Sequence, residues 1–175
     1  MAELYVCGQL EIGSGFKSNR LSCVWSLEIG GGWRVIEGHA NGQSQTDIPS
    51  LFESAFFSHP IDLHLATKTI QGWPKLNLQV WHYDEYNRQE LYGYGSIFVP
   101  SAPGAHTLTC PIWRPKGSTR DELMQNFVGG GLQLTSLDIL SDPADRPKIS
   151  CLSMGEVQIT LYVISRHFDR FGILT

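Results

Sequence analysis

The side chains that could hold a metal or move a proton are concentrated in one polar run, Trp81 to Gly93, with the sequence WHYDEYNRQELYG. His82, Asp84 and Glu90 follow one another at intervals of two and six residues, with Gly93 three further on. Carboxylates spaced in this way on a loop could converge on a hard cation such as calcium, which takes roughly six to eight oxygen ligands. An imidazole in the first place supplies no oxygen and no negative charge. The preferred reading is therefore a degenerate site retained for its loop shape, with no metal or other cofactor expected. Cation binding by His82, Asp84 and Glu90 is the lesser alternative.

No catalytic constellation competes with it. His59, His64 and His82 lack the close spacing of metal-ligating pairs. Ser58, His59 and Asp62 could be drawn as a triad, but there is no nucleophile elbow of the G-x-S-x-G kind, and sequence neighbours rarely converge in space. The glycine runs do not follow a strand and open a helix, as a phosphate cradle requires. The chain is read as a non-enzyme.

The elements that hold the polar run in place are strands. Leu76, Leu78 and Val80 alternate with Asn77, Gln79 and Trp81, and a second strand resumes at Tyr94 to Val99, so Gln71 to Pro100 reads as a long hairpin around which the chain is organised. The same period of two marks Glu3 to Ile12, Leu21 to Ile29, Ile61 to Lys68 and Glu156 to Ser165. HTLTCPIW is a further short strand. Gly30 to Gly32 is expected to turn Leu21–Ile29 back onto WRVIEG as a second hairpin. His39 to Ser58 is weakly patterned, and SLFESAFF within it fits a short helix or an irregular apolar segment. Thr119 and Glu122 form a capping box that opens one short helix near 119–128, ended by Gly129. About eight strands with a single inserted helix predict an all-β, antiparallel sandwich or barrel occupying residues 1–175 as one domain.

The bulk properties agree. A chain of 175 residues with 42% hydrophobic and 17% charged residues is long and apolar enough to bury a core. Its net charge of -4 gives no general attraction to nucleic acid. The beginning, MAELYVCGQLEIG, lacks a basic leader and a continuous apolar stretch, so a soluble protein that is not secreted by that route is expected. Cys7, Cys23, Cys110 and Cys151 stand singly, which suggests reduced, buried thiols in the cytoplasm.

The five tryptophans, Trp25, Trp33, Trp73, Trp81 and Trp113, suit the core and ends of a sandwich. Alternatively, Trp73, Trp81 or Trp113 anchors an interface, and the proline-rich CPIWRPKG would expose Trp113 and Arg114 together, both typical hot-spot residues.

Several segments together resemble a known family. FFSHPIDLHLATKTIQGWPKLNLQVW, GYGSIFVPSAPGAHTLTCPIWRP, FVGGG and RHFDRFG are similar to the B9 domain family, whose shared marks match Pro60-Ile61-Asp62, Gly72-Trp73-Pro74, Gly93-Tyr94-Gly95, Val99-Pro100 and Pro103-Gly104. The register of His82, Asp84, Glu90 and Gly93 also resembles the calcium loop of C2 modules, and that resemblance implies a partner loop with further acids, of which GSGFKSNRLS has none. These resemblances imply a divergent C2-like β-sandwich working at the base of the cilium, in the transition zone and basal body. They imply partners among other B9-domain proteins and the tectonic and Meckel-syndrome proteins, in a membrane-associated diffusion barrier needed for ciliogenesis. The family brings no catalytic residues.

Two function classes follow. One is a structural module that packs against sister B9 domains. The other is a peripheral phospholipid-binding module in which Lys17 and Arg20 of the first loop meet anionic head groups with little or no need for calcium. Two such charges supply only about 2 kcal/mol at an anionic surface, which favours assembly, with lipid contact as an addition.

Overall fold

A computed structural model describes residues 1–49, 54–86, 88–120, 123–124, 133–134 and 150–171. The described strands are β1 (Ala2–Ser14), β2 (Leu21–Glu28), β3 (Trp33–Gly38), β4 (Asn41–Gln43), β5 (Ala55–Thr67), β6 (Lys75–Tyr83), β7 (Gln89–Phe98), β8 (Gly104–Pro115) and β9 (Cys151–Arg166), followed by a 3-10 turn at Phe168–Phe171. They form one nine-stranded sheet in the order β3-β5-β1-β9-β8-β7-β6-β2-β4. Each described pairing is antiparallel.

The sheet is curled into two layers. β3, β5, β1, β9 and β8 make one, and β7, β6, β2 and β4 the other. Between β7 and β8 the described ladder is reduced to the single rung Tyr94–Trp113, and there the sheet folds over. Alternation supplies the core: Leu4, Val6 and Leu161 from the first layer and Leu21, Leu76 and Leu78 from the second are buried in a common apolar cluster. Each such side chain contributes about 1.5–3 kcal/mol by leaving water. Trp25 of β2 comes within 6.3 Å of His59 of β5, ring to ring, although the two strands stand second from opposite ends of the sheet order. The open edges have thus been brought face to face.

Where the structure departs from the sequence expectation, the causes are local. The hairpin of β2 with β3 does not form: β3 pairs with β5, while β2 lies between β6 and β4. The Gly30–Gly32 turn instead carries the chain across one end of the sandwich. Gly30 N–H donates to the carbonyl of Gly72 at 2.9 Å, and a Cβ on Gly30 would sit 2.7 Å from the Gly72 Cα, so only glycine allows this crossing. Gly72 has φ +71, which suits a residue without a Cβ. Ala55 to Phe57, expected as helix or irregular chain, begin the long strand β5, with Phe57 inward and Phe56 outward. β4 is a ninth strand of three residues, too short to show a period. Thr119, Arg120, Leu123 and Met124 are helical; 121–122 and 125–128 of the expected helix lie outside the described residues. Cys23 and Cys110 are buried thiols outside any disulfide, but Cys7 is half-buried and Cys151 exposed, because they stand on the outer face and at the start of a strand. Burial, with a smaller contribution from nearby Cys110, pushes the Cys23 thiol far up, so it stays protonated.

Candidate functional site

The polar run is the connection between β6 and β7, and Asp84 organises it. One Asp84 carboxylate oxygen accepts the backbone N–H groups of Tyr86 and Arg88, both at 2.8 Å, and the other accepts Arg88 Nε at 2.6 Å. Asp84 N–H closes the turn on the carbonyl of Arg88 at 3.1 Å. Those bonds hold the carboxyl below the usual carboxylate range, with the Arg88 backbone N–H as the largest cause. Arg88 also lies 5.6 Å over the Tyr86 ring. The carboxylate in the second position of the degenerate metal pattern is therefore engaged by its own loop, and a guanidinium supplies the positive charge.

His82 and Glu90 are brought together by strand pairing, opposite each other on β6 and β7. The His82 ring is stacked on Tyr92 at 4.7 Å and 18°. Tyr92 in turn faces Phe16 of the first loop at 6.5 Å. His82 Nδ1 is buried and has no hydrogen-bond partner. Among the described residues there is no group of three or more His, Cys, Asp or Glu side chains placed to hold a metal ion.

The first loop meets the same end of the sandwich. Tyr83 N–H donates to the carbonyl of Arg20 at 3.1 Å, and the Arg20 charge acts on His82. Lys17 is exposed and Arg20 half-buried. The candidate lipid-contact residues and the degenerate metal positions therefore share one surface. Sequence reasoning passed over Tyr86, which is 80% exposed at the tip. The polar setting of this aromatic was the signal that could have found it.

Burial lowers the His82 pKa; Arg20 lowers it further, while Glu90 and Asp84 pull it back up. The unfolded histidine titrates near 6.5 and the folded one below that. Between those two values the unfolded chain binds the extra proton, so stability rises with pH there. It is full above the unfolded value, declines as pH falls toward the folded one, and levels off beneath it. His82→Phe keeps a ring on Tyr92 and removes the titration. Urea midpoints measured from about pH 7.5 to 5.5 should then fall less in the variant than in the parent. An equal fall in both would remove His82 as the cause.

The candidate interface residues are placed differently. Trp113 is only 5% exposed, so the expectation that CPIWRPKG displays it is corrected. Ile112 enters the main core, while Trp113, its neighbour on the opposite face of β8, packs on Tyr94 at 6.0 Å in a small second cluster with Leu91, against which Trp81 and Leu134 also lie. Arg114 is half-buried, and its charge reaches Tyr92. Trp73 is half-buried at the other end. Its indole N–H donates to the carbonyl of Val99 at 2.7 Å, and its ring meets Trp33 edge-on at 5.2 Å and Phe168 at 6.0 Å. Both tryptophans pack within the domain, leaving half-buried Arg114 as the one charged member of the candidate interface set.

Residues 4–164 match the sequence profile of a family described as ciliary basal body-associated, B9 protein. The chain belongs to the B9 family. It is 51% identical over 173 residues to B9 domain-containing protein 2 of Danio rerio, covering 99% of each chain. A more distant B9 relative, B9 domain-containing protein 1 of Xenopus laevis, is 25% identical over 175 residues, covering 98% of this chain and 88% of the relative. Among solved structures, this B9 chain is similar to the C2A domain of a plant extended synaptotagmin 1, with a TM-score of 0.45 at 10% identity over 91% of this chain and 92% of that one. Membership in a ciliary basal body-associated family gives the chain a ciliary role in its coarse form.

Proposed function

We propose that this B9 protein is a non-catalytic structural component of the ciliary transition zone, working as one C2-like domain over residues 1–175. It assembles with other B9-domain proteins, and through them with a complex of the tectonic and Meckel-syndrome type, to build the membrane diffusion barrier required for ciliogenesis. The observation that carries this reading is identity with B9 domain-containing protein 2 over essentially the full length of both chains. The site supports it: Asp84 is already neutralised by Arg88, so the loop has no need of calcium to hold its shape.

The test is co-expression with B9 domain-containing protein 1 and a third B9-domain protein, followed by size-exclusion chromatography in calcium and in chelator. Co-elution that is the same in both is expected. Elution of the chain alone, with binding to anionic liposomes only in calcium, would overturn the assembly reading in favour of a calcium sensor.

Lipid contact is kept as a second reading on one observation, the grouping of Lys17, Arg20 and the projecting Tyr86 at a single end. The two cations contribute about 1 kcal/mol each at an anionic surface, so this contact adds to assembly and does not replace it.

A further inference from the structure

The open side of the sandwich, away from the β6–β7 loop, contains a groove of about 710 Å³ between the end of β3, the short β4 and the middle of β5. Three features of it point to a ligand. First, its floor includes Trp25, which is 3% exposed and whose indole N–H is buried with no acceptor. The nitrogen lies against the β4 wall, where a Cβ on Gly42 would be 2.6 Å from it and 3.0 Å from His59 Nε2. A buried donor left without an acceptor is costly, commonly by about 1–3 kcal/mol, and is a reason for a site to accept an oxygen from outside.

Second, β5 is longer than its neighbour. β3 pairs with it only from Leu63 to Thr67, so His59 to Asp62 has no described strand on that side. Such an edge is a template for an added strand, with Pro60 within it supplying no N–H, so an added strand pairs through the carbonyls and the remaining N–H groups. Third, among the described residues the groove lining includes the carboxylates of Glu37 and Asp62, both exposed, and no lysine or arginine. Beside them Tyr5 and His64 lie face to face at 4.1 Å and 14°, offering a flat surface for a planar cation.

We propose that this groove receives an extended, arginine-bearing segment of a partner protein. The segment lies along the open edge of β5, one of its carbonyls accepts the Trp25 N–H, and its guanidinium meets Glu37 and Asp62 over the Tyr5–His64 stack. An acidic segment would face two carboxylates with no lysine or arginine to receive it. A purely apolar one would bury those carboxylates unpaired, at a desolvation cost it could not offset. Recognition by strand addition draws its affinity from main-chain bonds and its specificity from the side-chain contact, here the arginine.

The test is a titration of the isotope-labelled full chain, followed by NMR, with the blocked peptide acetyl-Thr-Val-Arg-Val-Thr-amide and with its counterpart carrying glutamate in place of arginine. β-branched neighbours keep both peptides extended. The arginine peptide is expected to shift the Trp25 indole N–H and the backbone amides of Gly38, Gly42 and Asp62, and the glutamate peptide to leave them unmoved. The double variant Glu37→Gln, Asp62→Asn changes only exposed positions and should weaken the arginine peptide about tenfold or more. The proposal is overturned if both peptides shift the same signals, if neither shifts them at millimolar concentration, or if the double variant binds as well as the parent. None of these outcomes bears on co-elution with other B9-domain proteins, so the two readings fail separately.

Discussion

Trp113→Ala is expected to lower the unfolding free energy of the isolated chain by about 3–5 kcal/mol, the usual range for removing a buried aromatic. Trp113 stands on the rung between β7 and β8 at which the sheet folds over, and its ring fills the cluster formed with Tyr94 and Leu91. Removing it leaves a cavity at the one described link along the sheet between the two layers. Domains of this kind are stable by only about 5–15 kcal/mol, so the loss is a large fraction of the whole. Urea denaturation of the purified chain, without partners, measures it. If the variant kept the parent's midpoint and lost only co-elution with another B9-domain protein, Trp113 would be an interface anchor after all.

Gly8→Ala should have the second large effect, about 3 kcal/mol, with a drop in the yield of folded protein. Gly8 lies mid-strand in β1, between Ile61 of β5 and Leu161 of β9. A Cβ there would be 2.0 Å from the carbonyl oxygen of Thr160 and 2.9 Å from the Cα of Leu161. Both are backbone atoms of β9, so no side-chain rotation relieves the overlap and the strands must separate. The neighbouring ladder is already irregular, with the register of β1 shifting between Leu10 and Ile12. A thermal midpoint for Gly8→Ala equal to that of the parent would show that β1 and β9 can part without cost.

Much of the fold could be read in the sequence because burial on one face writes a period of two along each strand. β1, β6 and β9 show it, and the β6–β7 hairpin was located with its polar loop. Pairing was harder to read. Trp33 to Gly38 is strand in both accounts, but the turn before it looked like a hairpin, since nothing in Gly30–Gly32 states that Gly72 will press against Gly30 from another part of the chain. Ala55 to Phe57 carried too few alternating residues to be told from a helix. In the candidate site, the pairing of His82 with Glu90 followed from the hairpin, whereas the capture of Asp84 by Arg88 depends on a turn geometry that the spacing alone does not fix. Prolines on either side of Trp113 suggest an exposed segment, whereas the ring is covered by Leu91, Tyr94, Trp81 and Leu134, which come from other parts of the chain. The groove under Trp25 was not legible at all: Tyr5, Trp25, Glu37, Gly42 and Asp62 come from five strands with no shared local pattern.

The position of β9 between β1 and β8 has a consequence for how the chain is made. The bond from the Cys7 thiol to the carbonyl of Tyr162 spans 155 residues, and the whole β1–β9 ladder joins the first strand to the last. During synthesis β1 can pair with β5 early, but its other edge stays bare until β9 leaves the ribosome, and β8 waits on the same strand. Contacts this distant make folding slow, and an unpaired apolar edge held open for that time invites other chains. A chain terminated ahead of Cys151 would therefore reach the cell with both waiting edges uncovered, as material for chaperones or aggregation rather than a shortened working domain.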